Sequence, residues 1–212
     1  MGVPSVFLRL ATCNLACHWC DTKYTWDWRN FDYYQTEVME LDLDAVKDRI
    51  QAFNCSHVVI TGGEPLLQQA ELEPLVESLA DDGHTFEVET NGTIVPTTAM
   101  VRHIGQWNVS PKLRTSGNTP EAREIPLALE TFAQLPEAYF KFVMTGDSDL
   151  DEVCSLRDKY RLRPDRVLLM PEGRTREALE KKSSWLSEAC VKHGFRFTTR
   201  LHILLWGDER GR

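Results

Sequence analysis

The sequence predicts an α/β fold with a parallel sheet. Two observations predict it: short apolar, β-branched or aromatic runs recur along the chain, and helix-like segments separate most of them. Strands that alternate with helices in this way are typical of βα units. No internal repeat, long linker or low-complexity tract divides the chain, so we expect one domain over residues 1–212.

Seven runs are candidate strands, because residues that favour a pleated, half-buried surface dominate them. They are Val3–Leu10, His57–Thr61, Thr85–Glu89, Gln106–Val109, Tyr139–Thr145, Arg166–Met170 and Phe197–Leu204. In parallel sheets of this kind, ligands bind at the carboxyl ends of the strands. We therefore expect the functional residues to follow the strands directly.

Three segments show apolar residues at helical spacing, namely Leu41–Phe53, Leu66–Ala80 and Arg174–Lys192. Five apolar residues of the first segment can share a broad face. They are Leu41, Leu43, Val46, Ile50 and Phe53. Residues Asn14–Tyr34 interrupt the alternation as a long loop rich in aromatic residues and cysteine, and loops of that length in compact domains are usually functional.

Composition and charge exclude some classes of protein. The 212 residues include 42% hydrophobic residues, which allows a buried core. The net charge of −8 argues against a protein that mainly grips DNA or RNA phosphates, so we expect no nucleic-acid partner. No apolar stretch reaches the roughly 18 residues of a membrane helix, and the first residues do not resemble a signal peptide. We expect a cytoplasmic protein without a membrane partner.

Three of the six cysteines, Cys13, Cys17 and Cys20, lie close together in the long loop. At spacings of four and three residues, their thiols can converge on one metal centre. Iron–sulfur cubes are held by thiolates, commonly four of them. Because no fourth cysteine stands nearby, a cube held here would leave one iron open to a small molecule, as catalytic metal sites keep an exchangeable position.

The alternative for these cysteines is a zinc site completed by His18, or buried reduced thiols. His18 lies between two of the cysteines, where it would reach the same metal awkwardly. No second Cys-x-x-Cys pair follows, as a zinc ribbon would require. The single cysteines Cys55, Cys154 and Cys190 are expected to be small core residues or surface thiols.

A glycine-rich turn, Thr61-Gly62-Gly63-Glu64-Pro65, follows the second candidate strand. With the preceding C-x3-C-x2-C spacing, it resembles the radical S-adenosylmethionine superfamily. The resemblance implies a partial parallel βα barrel of about six strands, with a cluster-binding loop over about residues 11–34. It also implies a 4Fe–4S cluster whose open iron chelates S-adenosylmethionine, which one electron then cleaves to a 5′-deoxyadenosyl radical. Cofactors of this kind carry the difficult chemistry, while the protein positions it.

Further phrases resemble the 7-carboxy-7-deazaguanine synthase family. They are Gly2–Leu10, Cys20-Asp21-Thr22-Lys-Tyr24-Thr-Trp26, Glu89-Thr-Asn-Gly-Thr93 and Ser110-Pro111-Lys112. The resemblance implies that a pterin substrate, 6-carboxy-5,6,7,8-tetrahydropterin, is converted to 7-carboxy-7-deazaguanine with loss of ammonia, assisted by Mg²⁺. It also implies a carbon–nitrogen lyase of queuosine or other 7-deazapurine biosynthesis, a homodimer, and an electron donor such as flavodoxin.

The family's site residues carry over by position. Arg9 and Thr61 match substrate-contacting residues, and Arg9 would pair with the substrate carboxylate. Thr22 matches a magnesium ligand, in line with the preference of Mg²⁺ for oxygen. The remaining matches are expected to contact S-adenosylmethionine: Trp19, Asp21, Gly63, Glu64, Ser110, Pro111, Lys112, Met170, Pro171 and Glu172. We also expect Trp19, Tyr24 and Trp26 to wall a dry pocket for the radical.

The sequence departs from the family in two places and leaves two other functions open. At its end, Trp206-Gly-Asp-Glu-Arg-Gly-Arg212 does not match the proline-ended tail of some members. Family members usually carry a Gln-Gly-Glu-Gly motif before the position of Gly2, so we expect the substrate-binding set named above to be incomplete. One alternative is a glycyl-radical activase, which shares both motifs but which Arg9, Thr22 and Ser110-Pro111-Lys112 disfavour. The other is a non-catalytic metal-binding module for a protein or RNA partner, which the glycine-rich turn and the negative charge disfavour.

Overall fold

Seven parallel strands form one sheet whose spatial order follows the chain order. The computed structural model describes residues 2–32 and 38–209. The strands are β1 Val6–Leu10, β2 His57–Gly62, β3 Thr85–Thr90, β4 Ile104–Val109, β5 Ala138–Met144, β6 Val167–Pro171 and β7 Arg196–Phe197. Because β1 and β7 are the two edges of the sheet, the barrel is open. The predicted α/β fold with a partial parallel barrel is confirmed.

Helices connect successive strands, as the parallel order requires. Among the described residues they are α1 Leu43–Gln51, α2 Gln69–Asp81, α3 Thr98–His103, α4 Pro120–Arg123, α5 Pro126–Gln134, α6 Asp149–Tyr160 and α7 Arg176–His193, and α8 Leu201–Trp206 follows β7. The side chains of Asp42, Thr97 and Thr175 cap α1, α3 and α7 by accepting a hydrogen bond from a first-turn N–H. None of the helices in the described part of the chain is long and apolar enough to cross a membrane.

The prediction of the last strand is wrong over most of its length. The expected strand Phe197–Leu204 ends at Phe197, and Leu201–Trp206 is the helix α8. A short apolar run does not distinguish a strand from a buried helix by its pattern alone. Leucine favours the helical state here, and Gly207 ends the helix with a φ of 70°.

The broad apolar face predicted for α1 is also not observed. Only Ile50 of the five apolar residues is buried, while Val46 packs partly against the core. Leu41 and Phe53 flank the helix and are exposed, as is Leu43. The last residues of the predicted cluster loop, Tyr33 and Tyr34, lie outside the described residues.

The two faces of the sheet differ in polarity because side chains alternate along each strand. One face carries Val58, Ile60, Val88 and Trp107, each at most 1% exposed, and packs against the helices. Burying an aliphatic side chain of this size contributes about 1.5–3 kcal/mol. The opposite face carries polar groups near the carboxyl ends of the strands, so the fold leaves a polar surface inside the open barrel.

Candidate functional site

The three clustered cysteines follow β1 in a loop that folds back on itself. The amide of Thr12 donates to the carbonyl oxygen of Thr25 at 2.6 Å, and this bond closes the base of the loop. Cys17 is buried, and Cys13 and Cys20 are half-buried. The loop thus presents the three thiols at the carboxyl end of β1, where the sequence predicts the site.

Each of the three thiols lies beside an N–H group of the chain. The side-chain amide of Asn118 donates to Cys17 Sγ at 3.2 Å, and the indole of Trp26 donates to Cys20 Sγ at 3.3 Å. The backbone amide of Leu15 lies 3.5 Å from Cys13 Sγ. Donors of this kind stabilise the thiolate form, which is the form that binds metal.

The glycine-rich turn after β2 packs directly on the start of the cysteine loop. The Gly63 amide donates to the Leu10 carbonyl oxygen at 3.0 Å, and the Glu64 amide donates to that of Thr12 at 2.9 Å. A Cβ on Gly63 would lie 2.0 Å from the Thr12 carbonyl oxygen, and one on Gly62 would lie 2.1 Å from that of Leu10. Two glycines are therefore required here because the backbones touch.

The Glu64 carboxylate lies beneath the site rather than in it. Its side chain is fully buried and accepts hydrogen bonds from the Leu66 amide at 3.0 Å, the Thr90 hydroxyl at 2.8 Å and the Asn91 amide at 2.6 Å. Burial raises the pKa of Glu64, and the three donors oppose that rise. The geometry gives Glu64 the role of joining the turn after β2 to the segment after β3.

The segment after β3 reaches the cysteine loop through Asn91. Its side-chain amide donates to Asn14 Oδ1 at 2.8 Å and lies 4.0 Å from Cys13 Sγ. Asn14 in turn donates to the Thr93 hydroxyl at 2.8 Å. A continuous hydrogen-bonded chain therefore runs from Glu64 through Asn91 to the residue that follows Cys13.

The segment after β4 supports the other half of the loop. The carbonyl oxygen of Ser116 accepts from the His18 amide at 2.9 Å, and Asn118 Oδ1 accepts from the Ala16 amide at 2.9 Å. Gly117 has a φ of 83°, and a Cβ there would lie 2.0 Å from the His18 ring. His18 is consequently held against this segment.

The thiols fit an iron–sulfur cluster by their chemistry. Burial raises the pKa of Cys13 to about 11 and also raises that of Cys17, while the Lys112 ammonium lowers both. Cluster binding would therefore displace protons, as metal binding to thiols generally does. No three histidine, cysteine, aspartate or glutamate side chains of residues 2–32 and 38–209 surround one ion position. A cube does not need that arrangement, because each thiolate binds a different iron.

Several residues expected to contact S-adenosylmethionine meet at the end of β4. The Lys112 ammonium lies 5.8 Å from the centroid of the Trp19 ring and donates to both oxygens of Ser110 at 2.9 Å. The Trp19 indole donates to the Thr115 carbonyl oxygen at 3.1 Å. Ser110 and Pro111 are buried, so Lys112 and Trp19 form the accessible part of this group.

A cleft of about 210 Å³ lies beside the cysteine loop. Its lining combines the loop with the segment after β6: His18, Trp19, Cys20, Asp21, Lys23, Tyr24, Phe31, Glu172 and Arg174. Of the predicted group Met170, Pro171 and Glu172, only Glu172 lines the cleft, and the other two are buried in β6. Glu172 also pairs with Lys182 at 2.7 Å. Trp26, also expected in the wall, lines a second groove, and its indole N–H contacts Cys20 Sγ.

Asp21 connects the cysteine loop to the C-terminal helix through an ion pair with Arg200. Burial would raise the pKa of Asp21, but the Arg200 guanidinium, with help from Arg9, holds the pKa below its usual range. Arg200 is 8% exposed, and its Nε has no hydrogen-bond partner among the described residues. Burial, followed by the charge of Arg200, lowers the pKa of His202 in the same region.

The predicted substrate residues lie on the polar face of the sheet. Arg9 pairs in register with Thr61 across β1 and β2, and the Thr61 hydroxyl donates to Glu89 at 2.9 Å. Glu89 also forms an ion pair with Lys141 at 2.7 Å. The Lys141 ammonium, against the effect of burial, lowers the pKa of Glu89 to about 2, and Arg9 acts in the same direction.

Thr22, the predicted magnesium ligand, lies in the cysteine loop two residues after Cys20. Its hydroxyl oxygen is 3.6 Å from Cys20 Sγ, and its carbonyl oxygen accepts from the Thr25 hydroxyl at 2.8 Å. A hydroxyl in this position can offer its oxygen lone pair to a cation while its hydrogen points at sulfur.

The structure adds polar residues that the sequence did not single out, namely Asn14, Asn91, Asn118, Lys141, Arg200 and His202. Asn91 lies in the Glu89–Thr93 phrase, so a signal for it was present. Asn118 contacts Cys17 across 101 residues of chain, and Arg200 contacts Asp21 across 179. Separations of that size leave no local pattern in a single sequence.

Comparison with known proteins places the chain in a family. A model of the radical S-adenosylmethionine superfamily matches residues 9–100. The 7-carboxy-7-deazaguanine synthase of Pyrobaculum aerophilum is 37% identical over all of this chain and 90% of its own length. That of Halobacterium salinarum is 35% identical over 98% of this chain and 84% of its own length.

A solved structure agrees with these relatives. The crystal structure of QueE from Escherichia coli has a TM-score of 0.66 and 28% identity, and the match covers 94% of this chain and 86% of that one. Streptococcus suis SuiB, at 12% identity and a TM-score of 0.61, shares the fold. The chain belongs to the 7-carboxy-7-deazaguanine synthase family of radical S-adenosylmethionine enzymes, which are lyases with a 4Fe–4S cluster, S-adenosylmethionine and Mg²⁺ as cofactors.

Proposed function

We propose that this enzyme converts 6-carboxy-5,6,7,8-tetrahydropterin to 7-carboxy-7-deazaguanine and ammonia, in queuosine or other 7-deazapurine biosynthesis. The product differs from the substrate by the loss of one ammonia, so the overall reaction needs no oxidant. One observation carries the proposal. The cysteine loop and the group formed by Arg9, Thr61 and Glu89 lie at the carboxyl ends of neighbouring parallel strands. The two are close enough for the charge of Arg9 to lower the pKa of Asp21 in the loop as well as that of Glu89.

Cys13, Cys17 and Cys20 would hold the cluster. When bound, the cluster and S-adenosylmethionine supply a 5′-deoxyadenosyl radical that abstracts hydrogen from the substrate. The chain's own contribution is to hold the cysteine loop rigidly, through the glycine-rich turn on one side and Asn118 on the other. A loop fixed on two sides positions reacting groups better than a free one.

S-adenosylmethionine would lie along the cleft beside Trp19. Trp19 and Asp21 would face its adenosine part from the loop, and Glu172 would face it from the end of β6. Lys112 lies over the Trp19 ring and would meet the ligand with Ser110 and Pro111 behind it. Gly63 allows the turn after β2 to lie directly against the cysteine loop. The buried residues Glu64, Met170 and Pro171 would support the surface that S-adenosylmethionine contacts.

The substrate would bind on the polar face of the sheet, against β1 to β3. The Arg9 side chain is exposed and makes no hydrogen bond or ion pair with the described residues, so its guanidinium is available to a carboxylate. The Thr61 hydroxyl and the Glu89 carboxylate lie on the same face and present oxygen atoms to the substrate. Thr22 would add one oxygen ligand to Mg²⁺, leaving other positions to the substrate.

The remaining expectations complete the proposal. The seven strands form one sheet, which supports a single domain over residues 1–212. We place the enzyme in the cytoplasm, where thiols stay reduced, and all six cysteines are free. A small redox protein such as flavodoxin would supply electrons, and the functional unit would be a homodimer.

The test is an anaerobic assay of the reconstituted full chain. Cluster-loaded enzyme is mixed with S-adenosylmethionine, reductant, Mg²⁺ and ¹⁵N-labelled 6-carboxytetrahydropterin, and the products are identified by mass spectrometry. We expect 7-carboxy-7-deazaguanine and labelled ammonia in equal amounts. Cleavage of S-adenosylmethionine without a pterin-derived product would overturn the proposed substrate, and a chain that assembles no cluster would overturn the site.

A further inference from the structure

The N–H groups beside the thiols are not explained by loop folding alone. Trp26 is not needed for the base of the loop, which the Thr12–Thr25 bond closes, yet its indole N–H points at Cys20 Sγ at 3.3 Å. The Asn118 amide donates to Cys17 Sγ at 3.2 Å from a different segment of the chain. Two unrelated parts of the fold thus place a side-chain donor on two of the sulfurs.

We propose that Trp26 and Asn118 are positioning residues that set the reduction potential of the bound cluster through N–H···S hydrogen bonds to Cys20 and Cys17. The inference rests on the proposed function, because it takes those cysteines as cluster ligands. It gives Trp26 a role beyond the pocket wall that the sequence predicts, and it gives a role to Asn118, which lies outside the quoted motifs. Cys13 differs, because the side-chain amide nearest to it, that of Asn91, is 4.0 Å away.

The physical basis is the charge that the cluster gains on reduction. A one-electron donor adds one negative charge to the cluster, and part of that charge resides on the sulfurs. An N–H donor stabilises the more negative state more than the oxidised one, so it raises the reduction potential. Half-buried surroundings reduce screening by water and strengthen this effect.

The surroundings of Trp26 support an electronic role. The ring lines a surface groove with Ala16, Asp27, Trp28 and Arg29. Its single polar atom nevertheless points inward to sulfur. Phenylalanine could occupy most of the same space without that atom, so Trp26→Phe removes the donor and keeps most of the packing.

Asn118 has two functions that a second variant can separate. Its Oδ1 accepts from the Ala16 amide at 2.9 Å, and its Nδ2 donates to Cys17 Sγ and to the Ser116 hydroxyl oxygen at 3.1 Å. Asn118→Asp keeps an acceptor for Ala16 and replaces the donor with an oxygen that repels a thiolate. Loss of the Ala16 contact is therefore not the cause of any change in potential in that variant. The added negative charge lowers the potential in the same direction as loss of the N–H donor.

The experiment is a redox titration of the reconstituted full chain without substrate, followed by the electron paramagnetic resonance of the reduced cluster. For Trp26→Phe we expect the ratio of reduced to oxidised cluster at a fixed potential to fall about tenfold, which for a one-electron couple corresponds to 59 mV. In Asn118→Asp this ratio should fall by at least as much. Trp185→Phe, which removes an indole from the core-facing side of α7, is the matched control and should titrate as wild type.

A second readout reports the hydrogen bonds themselves. Exchange into D₂O should shift the iron–sulfur stretching bands in the resonance Raman spectrum of the wild type, and the shift should be smaller in Trp26→Phe. Variants that assemble the cluster but keep the wild-type potential and the wild-type D₂O shift would overturn the inference and leave the proposed function intact. A wild-type chain that forms no cluster would instead refute the proposed function.

Discussion

Replacing Glu64 with glutamine leaves one acceptor oxygen where the fold uses a carboxylate that accepts three hydrogen bonds. Three donors point at the carboxylate, namely the Leu66 amide, the Thr90 hydroxyl and the Asn91 amide. A glutamine side chain has one oxygen and one NH₂ group. Whichever way that amide is placed, its NH₂ faces a backbone N–H, of Leu66 or of Asn91, and that donor stays buried without a partner.

The size of the effect follows from these contacts. A hydrogen bond to a charged group contributes about 1.5–3 kcal/mol, and a buried orphaned donor costs about 1–3 kcal/mol. The neutral side chain avoids part of the cost of burying a charge, which the raised pKa of Glu64 reflects. We expect a net loss of about 2–4 kcal/mol in the free energy of unfolding. For a chain of this length that lowers the melting temperature by roughly 4–16 °C.

The assay is thermal unfolding of the cluster-free full chain, followed by circular dichroism under reducing conditions. Glu77→Gln is the matched control, because Glu77 is exposed on α2 and should melt within about 2 °C of wild type. If Glu64→Gln melts as late as this control, the carboxylate does not join the two strand-end segments and the reasoning is wrong. The reconstituted variant should also hold less iron, since Asn91 links Glu64 to the cysteine loop.

Three further predictions concern the substrate face and the magnesium site. Arg9→Gln should raise the KM for the pterin at least about tenfold, as expected for loss of a bidentate ion pair, with cluster content unchanged; an unchanged KM would remove the carboxylate contact. Thr22→Ala should raise the Mg²⁺ concentration needed for half-maximal activity while Thr22→Ser restores it, and equal Mg²⁺ responses in the two variants would exclude the hydroxyl as a ligand. Because the folded pKa of Glu89 is about 2 and its ordinary value is 4.5, its pairing stabilises the fold fully above pH 4.5 and this contribution is lost as pH falls toward 2. The difference in urea midpoint between wild type and Glu89→Gln should therefore be constant from pH 8 to about 5 and shrink below it; a difference that already declines between pH 8 and 5 would contradict the lowered pKa.

Much of the fold was predictable because strand and helix periodicity are local properties. The strands at His57 and Thr85 begin where their apolar runs begin, and Gly62 and Gly63 mark the end of β2. The C-terminal segment was not predictable in this way, because Leu201–Trp206 is short and apolar in either state. The Asp21–Arg200 ion pair lies at the start of that helix, and no local pattern encodes it.

The site was predictable to the extent that it lies in contiguous motifs. Cys13, Cys17 and Cys20, the glycine-rich turn and Ser110-Pro111-Lys112 are each recognisable as short phrases. Their mutual support was not predictable from the sequence. Gly63 packs against the Thr12 carbonyl oxygen, and the buried Glu64 carboxylate accepts hydrogen bonds from three donors. These roles depend on which backbones touch, and a single sequence does not contain that information.

The electron paramagnetic resonance spectrum of the reduced enzyme, recorded with and without S-adenosylmethionine, tests most directly whether Cys13, Cys17 and Cys20 hold a cluster with one open iron. In the wild type we expect a 4Fe–4S signal whose g values change when S-adenosylmethionine is added, because the ligand binds the open iron. Cys17→Ala should lose the signal while remaining folded. A cluster signal that S-adenosylmethionine leaves unchanged, or one that persists in Cys17→Ala, would contradict this assignment.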